Sequence, residues 1–277
     1  MMTHNVRAKT LPLFYWDAMD PAQSDPACKN FKVGNFGDLA SVSVVEWLSD
    51  RPVARATEET DGPRLLAIGS ILHRARDGDV IWGSGLKGSA AAQFDAGRID
   101  IRSCRGPITY DFLKRRGCDL GKVTTLFDPG SLAPCLPVAE TLDPVANRGK
   151  TLIIPHFREL ASFTRKNWLH RKQIVSVDCT LETMMARLIG AERVISSSLH
   201  GIIVAEALGV PAVWLRPMTA ESHLKYHDYY YATERYDVVC HDTLSDALKA
   251  DAPPLPRLDH AAMRASFPHD RIDELAR

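Results

Sequence analysis

The stretch RVISSSLHGIIVAEALGVPAVWL, residues 193–215, decides the fold class of this chain. A short apolar run, RVISS, leads through a polar turn into a helical segment from about Gly201 to Leu208, and a second apolar run, AVWL, follows. Gly209 and Pro211 separate the helical segment from the second run, and glycine then proline are ordinary helix stop signals. Apolar runs without polar alternation suit strands buried on both faces, so the stretch predicts a parallel strand–helix–strand unit.

The same alternation extends over the rest of the chain. Further apolar runs of strand length lie at 11–16, 64–69, 79–83, 100–104, 123–127, 150–155 and 173–177. Helices are predicted after Asp38 and Thr180 as caps, from Pro107 to Arg116, and from about residue 258. This order predicts an α/β protein with two doubly wound, Rossmann-like halves and a crevice at the carboxyl ends of the strands.

A domain boundary is predicted in the stretch 137–150, which holds two prolines and little apolar content. We expect an N-terminal Rossmann-like domain over 1–147 and a C-terminal one over 148–277. The C-terminal helix of the second domain is placed to pack back on the first.

Composition limits the classes of partner. The 277 residues carry 34 Lys+Arg and 34 Asp+Glu, so no overall field attracts nucleic acid, and any bound anion needs a local site. Six scattered cysteines without a CxxC pair predict reduced thiols and a cytoplasmic protein. No secretory segment, membrane-spanning run or metal-ligand spacing is evident, so we expect neither an anchor nor a metal.

Three turns in the first half are candidate sites. Asn35, Gly37 and Asp38 lie in GNFGD (34–38), which leads into a helix; the alternative is a tight turn capped by Asp38. Ser84 lies in WGSG after an apolar run, where an ordinary loop is an equal alternative. Arg105 follows a predicted strand and precedes a helix, so its guanidinium is predicted to reach the sheet edge and bind a carboxylate or phosphate.

The second half contributes a denser group of polar residues. Ser196, Ser197, Ser198 and His200 stand between a predicted strand and a helix, where amides and hydroxyls favour anions and the imidazole can exchange a proton. Capping by Ser198 alone is the alternative. His156 follows another predicted strand. Three more candidates lie in KYHDYY (225–230), whose rings suit a sugar face or a packed turn; they are Lys225, Asp228 and Tyr229.

In this order, GNFGD, WGSG, RGP, DPG, PH, SSSLHG and KxxDYY resemble the polysaccharide pyruvyl transferases, especially the short bacterial members that act in exopolysaccharide assembly. The resemblance spans about residues 34–230. It implies a glycosyltransferase-B-like pair of domains, phosphoenolpyruvate as donor, a hexose acceptor that becomes a cyclic pyruvate ketal, and no redox or organic cofactor. It associates Arg105, Leu199 and His200 with phosphoenolpyruvate. Ser198 stands where one eukaryotic branch has arginine.

The resemblance suggests roles for these residues. Arg105, the amides of 196–198 and Lys225 would neutralise phosphoenolpyruvate. His200 would donate a proton or activate phosphate departure, and His156 or Asp38 would act as base toward the sugar hydroxyl. The family's usual lipid-linked acceptor implies peripheral association with the inner face of the cell membrane.

Two other functions stay open at this stage. A nucleotide-sugar glycosyltransferase would share a two-domain cleft and a helix N-terminus that accepts phosphate, because a fold does not determine a function. A non-catalytic carbohydrate-binding protein would need neither the anion ligands nor His200.

Overall fold

The computed structural model describes residues 9–23, 25–88 and 93–276 of the chain, and two parallel sheets organise it. The larger sheet has the strands β1 (Leu11–Phe14), β2 (Val53–Ala56), β3 (Leu65–Leu66), β4 (Val80–Trp82) and β5 (Asp100–Ser103), in the order β2-β1-β3-β4-β5. The smaller sheet has β6 (Thr151–Ile154), β7 (Arg193–Ser196) and β8 (Ala212–Trp214), in that order. Every pairing is parallel, so the predicted α/β class is confirmed.

Helices connect the strands and cover the sheets. They are α1 (Phe36–Ser49), α2 (Pro107–Arg115), α3 (Leu160–Lys166), α4 (Leu181–Leu188), α5 (Leu199–Ala207), α6 (Leu224–Ala232), α7 (Leu244–Lys249), α8 (His260–Ala265) and α9 (Ile272–Leu275). Thr180 caps α4 as predicted, since its hydroxyl accepts from the Thr183 amide. None of the helices in the described ranges is long and apolar enough to cross a bilayer.

Three local predictions need correction. The run 123–127 forms no strand, since beyond a local turn at Val123 its one backbone–backbone hydrogen bond joins the Phe127 amide to the Cys104 carbonyl. The run 173–177 joins β6 through a bridge at Ile174 and forms no further strand. Asp38 does not cap α1: Asn35 occupies the N-cap, and Asp38 lies in the first turn.

Strand β2 was missed because its sequence, VARA, is not an apolar run. It lies at the edge of the larger sheet, where three of its four side chains are half-buried. By contrast, all four side chains of β1, its neighbour inside the sheet, are buried. Continuous apolar runs therefore mark the inner strands better than the edge.

The chain's last segment packs against the larger sheet. The Phe267 ring meets the Trp82 ring edge-on at 4.9 Å, and the Trp82 indole donates to the Ser266 hydroxyl at 3.0 Å. Arg102 of β5 pairs with Asp270 at 2.7 Å. The segment after α7 thus returns to the half of the molecule where the chain began. The domain boundary near residue 147 stays a prediction.

Candidate active site

A cavity of about 590 Å³ lies where the carboxyl ends of strands from both sheets meet. Its walls include Phe14 at the end of β1, Ser70 beyond β3, and His156 beyond β6. Residues 198–200, beyond β7, and Lys225 of α6 complete the wall. The carboxyl edge of a parallel sheet is where such folds bind ligands, so this cavity is the candidate active site.

Two helices begin at this cavity. Asn35 and Asp38 of the α1 start line it, and so do Leu199 and His200 of the α5 start. Ser198 caps α5, because its hydroxyl accepts from the Gly201 amide at 3.4 Å. The remaining amides of a helix start carry a partial positive charge, so both starts favour an anion in the cavity.

The His200 imidazole is held between a glycine and a buried carboxylate. A Cβ placed on Gly37 would lie 2.2 Å from His200 Nδ1, so only glycine leaves room for the ring there. On the other side, His200 Nε2 lies 3.6 Å from Asp128 Oδ2. Asp128 is fully buried, and its Oδ1 accepts from the Gly130 amide at 2.9 Å. Neither Asp128 Oδ2 nor His200 Nε2 has a hydrogen-bond partner among the described residues, so the imidazole faces an unsatisfied carboxylate.

Asp38 supplies a carboxyl group with a perturbed affinity for protons. Burial raises its pKa, while nearby His200 and the hydrogen bond from Asn35 Nδ2 to Asp38 Oδ2, 2.5 Å long, oppose that change. A buried carboxyl group with a raised pKa in a cavity is suited to proton transfer near neutral pH.

A second polar group faces Asp38 across the cavity. Lys225 Nζ donates to Glu221 Oε2 at 2.9 Å and lies 3.5 Å from His156 Nε2. Burial, with Lys225 beside it, lowers the pKa of His156 to about 3, so its imidazole is neutral at pH 7. Burial alone would raise the pKa of Glu221, but Lys225 and His156 outweigh it and lower that pKa to about 2. The group thus presents a carboxylate and a neutral imidazole beside Lys225, and burial lowers the pKa of Lys225 itself.

Further cations line the cavity, and sequence reasoning missed them. Arg158 is bound to Asp25 and Glu221, and Arg74 pairs with Glu58 at 3.1 Å. Lys87 is exposed and has no carboxylate partner among the described residues. The sequence feature that could have identified Lys87 is its position two residues beyond the WGSG turn.

One wall of the cavity is aromatic. The Trp16 and Phe157 rings lie 5.0 Å apart at 36°, and the Phe157 ring also lies 4.5 Å from the His156 ring, tilted by 40°. Both residues stand just beyond the ends of strands, at the same sheet edge as the polar candidates. Apolar ring faces beside hydrogen-bonding groups are suited to the CH-bearing faces of a sugar.

Several predicted site residues lie outside the cavity wall. Those that line it are Asn35, Asp38, His156, Ser198, Leu199, His200 and Lys225. Those that do not are Gly37, Ser84, Arg105, Ser196, Ser197, Asp228 and Tyr229.

Arg105 lies directly beneath the cavity rather than in it. Its guanidinium is fully buried and bonds to Asp228 Oδ2 at 3.2 Å, the Ser70 hydroxyl at 2.7 Å and the Leu86 carbonyl at 3.0 Å. Asp228 also accepts from the amides of Ile108 and Thr109 at the start of α2. The pair therefore ties α6 to α2 and holds Ser70 in the cavity wall.

The remaining candidates are committed to internal hydrogen bonds. Ser84 donates to the Ala67 carbonyl at 2.7 Å, and Ser196 to the Ile154 carbonyl at 2.9 Å. Ser197 accepts from the His156 amide at 2.9 Å and so fixes the backbone of that histidine. Tyr229 donates to Glu206 at 2.7 Å, away from the cavity. Their substrate-binding roles stay predictions.

Comparison with known proteins gives a consistent set of relatives. The family profile described as polysaccharide pyruvyl transferase matches residues 60–217. An uncharacterized protein of Acanthamoeba polyphaga mimivirus is 29% identical over 205 residues, which are 70% of this chain and 69% of that protein. The succinoglycan biosynthesis protein ExoV of Rhizobium meliloti is 27% identical over 198 residues, 68% of this chain but 58% of its own length.

A comparison of solved structures gives one further similarity. The crystal structure of an uncharacterized protein from Klebsiella pneumoniae aligns with 84% of this chain and 93% of its own, at 15% identity and a TM-score of 0.47.

Proposed function

The chain belongs to the polysaccharide pyruvyl transferase family, and from that premise we propose that it moves the enolpyruvyl group of phosphoenolpyruvate onto a hexose, releasing phosphate and closing a cyclic pyruvate ketal. The observation that carries the proposal is the meeting of two helix starts, Lys87 and His200 in one cavity. Such a site binds a compact anion beside a group that can exchange protons.

The donor occupies the end of the cavity formed by the helix starts. Phosphoenolpyruvate brings a phosphate and a carboxylate, and the chain's zero net charge leaves their neutralisation to local groups. The amides at the start of α5 and the Lys87 ammonium bind one anionic group. Lys225 binds the other, since its ammonium lies at the cavity wall. Arg105 acts from below by holding Ser70 in place.

The proton steps divide between two sides of the cavity. Protonation of the donor's methylene carbon makes C2 electrophilic, and a sugar hydroxyl attacks it. His200, braced by Asp128, or Asp38 with its raised pKa supplies that proton. His156, which a lowered pKa of about 3 leaves neutral at pH 7 but a weak base, accepts a hydrogen bond from the attacking hydroxyl, and the proton of that hydroxyl passes to the phosphate. The C2–O bond to phosphate then breaks and phosphate leaves with that proton. A second hydroxyl of the same sugar bonds to C2, closes the ketal and returns its proton to the group that supplied the first.

The acceptor lies against the aromatic wall. Trp16 and Phe157 offer ring faces to the hexose, while His156, in contact with Phe157, lies beside the sugar hydroxyls. The relation to a succinoglycan biosynthesis protein supports a polysaccharide as acceptor, and a lipid-linked repeat unit is the form that we propose for it. No organic cofactor takes part in this scheme. The six free cysteines suit a cytoplasmic protein, and a lipid-linked acceptor would bring that protein to the inner face of the membrane.

The two sheets support a glycosyltransferase-B-like organisation, with one Rossmann-like domain built on each. Strands β1, β3, β6 and β7 direct their carboxyl ends at one cavity, as two such domains do across a cleft. Domain closure would exclude water from the oxocarbenium-like intermediate.

Ligand-induced thermal stabilisation tests the donor. Phosphoenolpyruvate should raise the melting temperature of the wild type, and Lys87→Ala should reduce that shift by weakening binding about tenfold or more. Lys114→Ala, an exposed lysine on α2, is the matched control and should keep the full shift. Stabilisation by UDP-glucose or GDP-mannose without any by phosphoenolpyruvate would instead identify a nucleotide-sugar glycosyltransferase.

A further inference from the structure

A basic tip, defined as residues 165–172, projects from the smaller sheet and has no place in the scheme above. Its sequence is RKNWLHRK, and the whole stretch 160–177 contains four Lys or Arg residues and no Asp or Glu. The chain as a whole carries zero net charge. The tip is therefore a local concentration of positive charge on a balanced surface.

Two adjacent apolar side chains stand at the centre of the tip. Trp168 is 63% exposed and Leu169 is 75% exposed. Across the described ranges they are the one pair of sequence neighbours among the large exposed apolar residues. An exposed Trp–Leu pair costs solubility without helping the core, so it indicates contact with an apolar partner.

The cations that surround this pair are free to bind a partner. Arg165, Lys166, Arg171 and Lys172 are all exposed, and none of them forms an ion pair with any residue that the structure describes. Most other arginines near the cavity and in the larger sheet are committed to carboxylates. The tip thus combines uncommitted positive charge with exposed apolar area.

The tip is held in position from both ends. On one side Phe163 of α3 is buried in the core of the smaller sheet, with Ile153 and Ile195. On the other side the Ile153 amide donates to the Gln173 carbonyl at 2.9 Å, and the Val175 amide donates back to Ile153 at 2.8 Å. A short anchored loop presents its side chains at little entropic cost.

We propose that the basic tip binds the surface of a membrane that contains anionic lipids, with Trp168 and Leu169 inserted at the boundary of headgroups and acyl chains. Interfacial segments combine Trp and Leu with Lys and Arg in this way. A single-stranded nucleic acid would use the cations and the indole but leaves Leu169, the more exposed of the pair, without a partner. The proposal does not depend on the reaction catalysed in the cavity.

Co-sedimentation of the full chain with vesicles tests the proposal. We expect binding to vesicles of phosphatidylcholine mixed with phosphatidylglycerol, weaker binding as salt increases, and no binding to pure phosphatidylcholine. Each cation that contacts the anionic surface contributes ~1 kcal/mol, or about fivefold in affinity. The double variant Arg171→Gln with Lys172→Gln should therefore bind the vesicles about 25-fold more weakly. Trp168→Ala with Leu169→Ala should weaken it about tenfold or more.

Matched variants elsewhere on the surface serve as controls. Tyr236→Ala with Val239→Ala removes two other exposed apolar side chains, and Lys114→Gln with Arg115→Gln removes two other exposed cations. Both pairs should leave vesicle binding unchanged.

Four results would overturn the proposal. They are absence of binding to the anionic vesicles, equal weakening by the control pairs, tighter binding of single-stranded RNA than of vesicles, and a dimer in light scattering that dissociates when Trp168 is replaced.

Discussion

Gly37→Ala tests whether the placement of His200 controls catalysis. The substitution adds one methyl group whose carbon would lie 2.2 Å from His200 Nδ1 and 2.6 Å from Cγ. Ordinary contacts at a Cβ begin near 3.4 Å. The imidazole must therefore move by about 1 Å, away from Gly37 and from its place beside Asp128, and a displacement of that size costs about 100-fold in rate.

The protein should still fold. Gly37 lies in the first turn of α1 with ordinary helical backbone angles, and alanine favours a helix over glycine by ~1 kcal/mol. That gain offsets part of an overpacking cost of roughly 1–3 kcal/mol. The loss of rate is then a local effect on His200.

The assay is phosphate release from phosphoenolpyruvate in the presence of hexose glycosides. We expect His200→Ala to lower the rate about 10²- to 10⁴-fold. In a His200→Gly background, which removes the ring and also the Cβ that lies 2.7 Å from the added methyl group, Gly37→Ala should cause no further loss. Gly97→Ala, whose added Cβ lies 3.6 Å from the nearest atom, is the control and should leave the rate unchanged. A folded Gly37→Ala variant with the wild-type rate, or equal losses in both backgrounds, would refute the reasoning.

Three further predictions follow from buried charges. Asp128→Asn removes the negative charge that lies 3.6 Å from His200 Nε2. We expect kcat to fall about 10- to 100-fold while KM for phosphoenolpyruvate stays unchanged. A change in KM alone would show instead that Asp128 acts in substrate binding. Asp228→Ala leaves the buried Arg105 guanidinium unpaired and should lower the free energy of unfolding, measured in urea, by about 3–5 kcal/mol. Asp242→Ala breaks an exposed ion pair and should lower it by under ~1 kcal/mol. Equal losses would contradict a buried ion pair at Asp228. Burial lowers the pKa of His156 from 6.5 to about 3, so this histidine binds a proton at a higher pH in the unfolded chain than in the folded one. As the pH falls below 6.5, His156 therefore lowers the free energy of unfolding by up to about 1.4 kcal/mol per pH unit. His156→Asn should remove that part of the slope between pH 7 and pH 5, and an unchanged slope would show that His156 does not contribute to it.

Much of the fold can be predicted from the sequence, because parallel strands are buried on both faces and form continuous apolar runs. The apolar runs around Leu13, Ile81, Ile153 and Ile195 all form strands, and each run predicts its strand without information from the rest of the chain. The run 123–127 lies beyond the edge of β5, and two hydrogen bonds join it to the end of that strand, from the Phe127 amide to the Cys104 carbonyl and from the Ser103 hydroxyl to the Thr125 carbonyl. A short run of this kind is therefore not sufficient for a strand, because pairing requires a neighbouring strand in register.

The sequence also identified the strand ends from which the site is built, and seven of its candidates line one cavity. It could not identify Asp128 as the partner of His200, because the motif DPG (128–130) predicts only a turn. The two residues come together only because α5 packs against that turn. It could not show that Arg105 is buried, because Asp228, the partner that makes burial tolerable, stands 123 residues away.

By itself, then, the sequence determined what depends on neighbours along the chain: most of the helices, the inner strands, and the turns that lie at the sheet edge. Tertiary structure decided which charges are paired, which are buried and which are free to bind a ligand. The physical reason is that desolvation and ion pairing depend on groups brought together from distant segments, so the surroundings of Arg105, Lys225 and Lys87 were set only when both sheets were in place.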